Sequence, residues 1–189
     1  MHYIDTIKNY NSTNDQEKSD RKVILDYIKD YEDNILTREN KVAHMTSSGL
    51  ILNKSMDKIL MVHHNIYKTW AWTGGHADGN TDLLEVAIIE GKEETGLENL
   101  VPLSIEPLSI DILPVFGHIK NGSYVSAHLH LNVTYVLIGD ESEGLVIKED
   151  ENSGVMWIPV SELSLYSNEQ FMIEVYLKIV ESAINFKRV

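Results

Sequence analysis

The chain has 189 residues, more than the ~100–150 typical of one domain and fewer than two usually need, so one domain with an extension is expected. At 43% hydrophobic and 24% charged residues it has the composition of an ordinary globular protein, which excludes collagen-like, low-complexity and globally disordered chains. Sixteen basic residues against 29 acidic ones leave a formal charge of −13, which repels phosphate backbones and anionic membrane surfaces and argues against nucleic-acid and membrane partners.

Zero cysteines remove disulfides, thiolate zinc sites and a cysteine nucleophile together, so any catalysis must come from carboxylates, histidines, hydroxyls or a metal. No run approaches the ~18 apolar residues of a membrane span, and Met1 to Tyr10 lacks the basic start and apolar stretch of a signal peptide; a cytoplasmic protein is expected.

In chain order, Ile24, Leu25, Ile28, Tyr31 and Ile35 recur at helical steps and predict an amphipathic helix from Ser19 to Leu36, after a polar loop from Asn9 to Asp15. Its apolar face can pack across a homodimer as readily as on its own domain. The pattern changes near residue 40, which separates an N-terminal helical extension, 1–39, from a domain over 40–189. Short β-type runs follow at Gly49 to Leu52 and Lys58 to His63. Thr81 to Thr95 carries the best-defined helical pattern, with Leu84, Ala87, Ile88 and Gly91 on one face, a capping box at Asp82 and Glu85, and Gly96 at the C′ position. Further strands are read at Leu108 to Phe116, His128 to Ile138 and Val155 to Ile158, with a turn at Lys120 to Ser123. A closing helix spans Glu169 to Phe186. Strands around a central helix, with helices at both ends, predict an α/β fold with a mixed β-sheet between helical layers.

The central helix breaks its own local rules. Glu90 has Glu93 at i+3 and Glu94 at i+4, an arrangement that costs ~0.2–0.5 kcal/mol per like-charged pair. Two of the three lie in the last turn, where the helix dipole disfavours a carboxylate by a further ~0.3–1 kcal/mol. Such violations gather at functional sites, and a hard divalent cation with oxygen ligands is the simplest remedy. Just upstream, Trp70-Ala71-Trp72-Thr73-Gly74-Gly75-His76-Ala77-Asp78-Gly79 reads as a glycine-rich loop able to bring backbone N–H groups close to an anion.

The spacing from Gly75 through Glu90 and Glu93-Glu94 to Gly96-Leu97 resembles the 23-residue box of the Nudix hydrolase family, and the likeness extends less strictly from Val42 to Leu163. The resemblance implies a Nudix-type α/β/α sandwich whose loop-helix-loop holds Mg²⁺ or Mn²⁺. It also implies a reaction in which metal-activated water attacks phosphorus of a diphosphate-containing small molecule, a nucleoside diphosphate derivative or similar. Carried over, Glu90, Glu93 and Glu94 are the metal-binding catalytic carboxylates, and Gly75 supplies loop geometry and a backbone ligand. Departures stand beside these matches. The first box glutamate falls on Thr81, the arginine before the helix glutamate is Ile89, and the proline before the paired glycines is Thr73. An isoleucine at 89 is expected to pack at the apolar boundary of the helix.

In the strand from His128 to Val136, Leu129, Leu131, Val133 and Tyr135 share one face, which leaves His128, His130, Asn132 and Thr134 on the other. That polar face either meets solvent or uses its two histidines on a metal or a substrate phosphate. His76 is a substrate-side candidate with Gly74 and Gly75, and Trp70 a candidate for stacking on a base, although aromatic residues at strand ends more often belong to a core. The acidic segment Lys148 to Gly154 resembles the loop that carries an extra glutamate in many Nudix enzymes; Glu151 is the choice and Glu149 the reserve. Two other functions fit less well. A binding module would explain the altered box, and an isopentenyl diphosphate isomerase-like enzyme is disfavoured by the absent cysteine.

Overall fold

A computed structural model describes residues 1–120 and 122–187; Asn121, in the turn read at Lys120 to Ser123, lies outside them. The N-terminal helix is α2, Asp15–Tyr31, shorter at its end than the periodicity predicts and preceded by α1, Tyr3–Asn9, which periodicity does not reveal. Asn14 caps α2 by accepting the Glu17 N–H at 2.9 Å. Ile35 extended the apparent pattern because it is fully buried, but it sits in the turns after α2, where its carbonyl accepts the Met45 N–H at 2.8 Å. Ile24, Ile28 and Ile35 join Tyr3 and Ile7 in the same core as Met45, Leu131 and Tyr135 of the sheet. Of the two packings open to this face, Ile24, Ile28 and Ile35 use the one on the chain's own domain.

The sheet is built from β1, Ala43–Leu52; β2, Lys58–His64; β3, Trp70–Ala71; β4, Thr73–His76; β5, Val101–Pro102; β6, Ser109–Val115; β9, His128–Ile138; and β10, Asn152–Pro159. Its spine runs β10-β2-β1-β9-β5, with β3 on β2, β4 on β1 and β6 on β9. β1 and β9 pair in parallel, from Ala43 against Leu129 to Leu52 against Ile138, and the other pairs are antiparallel, so the sheet is mixed as expected. Outside it, β7, His118–Lys120, and β8, Ser123–Val125, form a separate two-stranded ribbon.

Period-two alternation sends the side chains of β1 and β9 into two cores. Met45, Ile51, Leu131, Val133, Tyr135 and Leu137 meet Leu83 and Ala87 of α3, Leu83–Thr95, together with α1 and α2. On the opposite face Leu50, Leu52, Met61 and Val136 meet Ile173, Tyr176, Ile179 and Ala183 of α5, Gln170–Lys187, which follows the single-turn α4, Leu163–Tyr166. The helix-sheet-helix layering follows. Among the described residues no helix is long and apolar enough to cross a membrane.

Candidate active site

α3 starts and stops where its sequence says it should. Asp82 caps it by accepting the Glu85 N–H at 3.3 Å, and Gly96 ends it in the left-handed region at φ 77°. The second half of the capping box is replaced. Asn80 receives the Asp82 N–H at 2.8 Å, while its amide donates to Glu85 at 3.0 Å. Gly91 lets the helix pack closely, because a Cβ there would stand 2.9 Å from Leu100 Cδ1 and 3.4 Å from Ile51 Cδ1 of β1.

The segment read as a glycine-rich loop is mostly strand: Thr73 to His76 pairs with Gly49 to Thr46 of β1. Gly74 and Gly75 serve close approach, while Gly79 at the segment's end takes the left-handed region at φ 91°. A Cβ on Gly74 would meet the Ser47 carbonyl oxygen at 2.8 Å, and one on Gly75 would meet Glu90 Oε1 at 2.1 Å. The Gly74 N–H donates to Glu94 Oε1 at 3.0 Å. β4 thus bears directly on the carboxylates of α3.

Three carboxylates converge there: Glu90, Glu94 and Glu151 each offer an oxygen, all within 4.8 Å of one another. Glu151 reaches the group because its N–H is tied to the Lys148 carbonyl at 2.9 Å and the next residue, Asn152, donates its side-chain amide to the Glu94 carbonyl at 3.0 Å. Burial raises the Glu94 carboxyl to about 8, against the Gly74 hydrogen bond and with help from the charges of Glu90 and Glu151. Burial, then Glu151, pushes Glu90 upward as well. Glu93 stands apart from this trio; it is half-exposed and paired with Lys148 at 3.0 Å. Lys148 also lies 3.3 Å from Glu151, and although burial lowers its ammonium, the hydrogen bond to Glu93 and the charge of Glu151 leave it raised overall.

The altered box positions have structural explanations of their own. Thr81 gives its carbonyl to the Tyr3 N–H at 2.9 Å, so the place of the first box glutamate is a docking point for α1. Ile89 does not pack: it is 43% exposed, on the solvent side of α3. Trp70 packs against the α5-side core, edge-on to His63 and Tyr166.

His76, His128 and His130 come together with a fourth histidine, His44 of β1. The polar face of β9 is buried at Asn132 and Thr134 and partly buried at His128 and His130. Asn132 accepts from Thr46 at 2.8 Å and Ser48 at 3.0 Å, and donates to Thr134 at 2.9 Å. Sequence reading passed over His44 and Lys148. The alternation His44, Thr46, Ser48 is a period-two polar signal like that of β9, and Lys148 is the lone cation in an acidic segment.

A mixed sheet layered between helices, with a carboxylate-bearing helix docked on a diglycine strand, defines a recognisable class of α/β fold. The NUDIX domain pattern matches residues 43–179, and the chain belongs to the Nudix family. A hydrolase of the Nudix family from Clostridium perfringens shares 25% identity at a TM-score of 0.51, over 74% of this chain and 95% of that one. The E. coli dihydroneopterin triphosphate pyrophosphohydrolase is 14% identical at 0.54, over 75% and 95%, and the M. smegmatis Nudix hydrolase RenU 14% at 0.53, over 75% and 86%. These two show likeness of fold. No curated protein sequence matches the chain.

Proposed function

We propose that the protein is a divalent-metal-dependent hydrolase that cleaves a diphosphate linkage in a small molecule, a nucleoside diphosphate derivative or similar, by attack of water on phosphorus. The observation that carries this reading is the convergence of Glu90, Glu94 and Glu151 beside a strand whose Gly75 has no room for a side chain. An all-oxygen, carboxylate-rich donor set suits Mg²⁺ or Mn²⁺, and a cation there would offset the repulsion by which Glu90 and Glu151 add to the burial that pushes Glu94 upward. Bound there, such a cation would lower the pKa of water and neutralise charge on phosphoryl oxygens. Glu90 and Glu94 are the principal ligands, with Gly75 contributing backbone and Glu93 joining on release from Lys148. Glu151, at the mouth of the group, takes the proton of the attacking water. The Gly74 N–H holds Glu94 in place. Residues 1–39 act as a helical extension that buttresses the domain over 40–189.

The test is phosphate release from a panel of nucleotide and sugar diphosphates with Mg²⁺, with Mn²⁺ and with a chelator. Metal-dependent turnover that falls at least about 100-fold in Glu90→Gln and Glu94→Gln is expected. Hydrolysis in ¹⁸O-labelled water should label a phosphate-containing product. Metal-saturable ligand binding with no turnover on any diphosphate would leave a binding module instead.

A further inference from the structure

The histidine group stands apart from the carboxylates. Adjacent residues of a strand point to opposite faces, so Gly75 turns toward Glu90 while His76 turns away from it. Register then gathers four imidazoles on that far face. His44 of β1 lies opposite His130 of β9, His128 is two residues before His130, and His76 is paired with Thr46, two residues after His44. Ring centroids are 4.9 Å apart for His44–His76, His44–His128 and His76–His130, and one ring nitrogen from each histidine lies within 4.8 Å of the others.

The hydrogen bonds fix which nitrogens face inward. His44 Nδ1 is 2.8 Å from the Asn40 carbonyl and His128 Nδ1 is 2.9 Å from the Ser126 carbonyl. A carbonyl only accepts, so both Nδ1 atoms carry protons and both Nε2 atoms present bare lone pairs when the rings are neutral. His44 is 5% exposed, and its Nε2 has no hydrogen-bond partner among the described residues. His128 Nε2 faces His130 Nε2 at 3.3 Å. Burial holds His76 down at about 3 and His130 at about 2, with neighbouring histidines and Arg38 adding to it, so these rings are neutral near pH 7. Arg38 and Lys120 are the cations that act on the group, and Asp78, bound to Arg38 at 2.7 Å, is the carboxylate nearest in influence.

Ring nitrogens converge on one point, the buried His44 Nε2 is left without a partner, and a borderline divalent metal answers both. Two nitrogens at Zn–N distances of about 2.0–2.1 Å in a tetrahedral shell stand roughly 3.3–3.4 Å apart, the separation already present between His128 and His130. Backbone carbonyls behind His44 and His128 are the usual outer support of imidazole ligands. Neutral nitrogen donors favour Zn²⁺, Co²⁺, Ni²⁺ or Cu²⁺ over the Mg²⁺ or Mn²⁺ suited to carboxylates. We propose that His44, His76, His128 and His130 form a second metal site, specific for a zinc-class divalent ion, which fastens β1, β4 and β9 together on the face opposite the carboxylates.

The experiment uses the full chain, stripped of metal and held in excess Mg²⁺ to fill the carboxylate site, and titrates Co²⁺ while recording visible absorption. One equivalent should bind with the intense d–d bands of tetrahedral coordination, be displaced by one equivalent of Zn²⁺, and raise the melting temperature. The signal should persist in Glu90→Gln/Glu94→Gln and weaken about 100-fold or more in His128→Ala/His130→Ala, whose partly exposed positions spare the core. His44→Gln, judged folded by circular dichroism, is the second variant and should show the same loss. Equal Co²⁺ binding in the folded histidine variants, or binding lost only with the glutamates, would overturn the site, as would the absence of tetrahedral bands.

Discussion

Lys148 Nζ lies 3.0 Å from Glu93 Oε2, so of the three clustered glutamates Glu90, Glu93 and Glu94 the one outside the converging group is held by a partly buried cation. The same ammonium sits 3.3 Å from Glu151 and occupies the ground that a divalent ion would contest. Lys148→Met should lower the melting temperature of the metal-free protein, because the carboxylates lose their counter-charge. It should also tighten Mn²⁺ binding about fivefold, the equivalent of roughly 1 kcal/mol for a partly exposed pair. Calorimetric titration decides it, and weaker Mn²⁺ binding would assign the lysine to the metal-bound state instead.

Glu94 supplies a pH signature. Its folded value, about 8, exceeds its unfolded 4.5, so its contribution to stability is fully present below 4.5 and is lost as pH rises through 8. His44, His76 and His130 are shifted downward by burial and act oppositely, losing stability as pH falls below 6.5. The difference between wild type and Glu94→Gln isolates the glutamate. In chelator, the variant should gain on wild type across 4.5 to 8, by an amount on the order of a few kcal/mol at the upper end. A difference that stays constant with pH would mean the carboxyl is not buried as described.

The two glycines of β4 should separate stability from binding. A Cβ on Gly75 meets the movable end of Glu90, so Gly75→Ala should cost little stability and weaken Mg²⁺ binding by displacing that carboxylate. A Cβ on Gly74 meets the Ser47 carbonyl and Ser48 Cα, which are backbone, so Gly74→Ala should lose about 1–3 kcal/mol by overpacking. Denaturant melts and metal titration on both variants check the contrast, and equal effects from the two would refute it.

What was legible in the sequence was what rests on local pattern. The cap and stop of α3, the alternation of β9 and the strain among Glu90, Glu93 and Glu94 all come from spacing along one element. What was not legible depends on register between elements. His44 meets His130 only because β1 and β9 pair in parallel, and Glu151, chosen from its segment, stands beside Glu90 and Glu94 only because Asn152 ties β10 to the end of α3. Ile35 misled for a related reason: a buried residue in a turn has the same spacing as one on a helix.

Ile89 gives the last prediction. In the family pattern that position holds an arginine, and the expectation of packing is overturned, since the side chain is 43% exposed beside Glu85 and Lys92 on the surface of α3. An exposed helical isoleucine contributes little burial, and arginine has the better helix propensity, so Ile89→Arg should leave stability within about 0.5 kcal/mol of wild type. Glu85 and Glu93 lie four residues to either side on the same helix, where a guanidinium can reach a carboxylate. If the arginine's role has merely been lost, turnover in Ile89→Arg should hold or increase. A fall of more than about tenfold in a folded variant would instead show that the isoleucine has become part of how substrate is received, and steady-state kinetics on the substrate found by the diphosphate panel distinguishes the two.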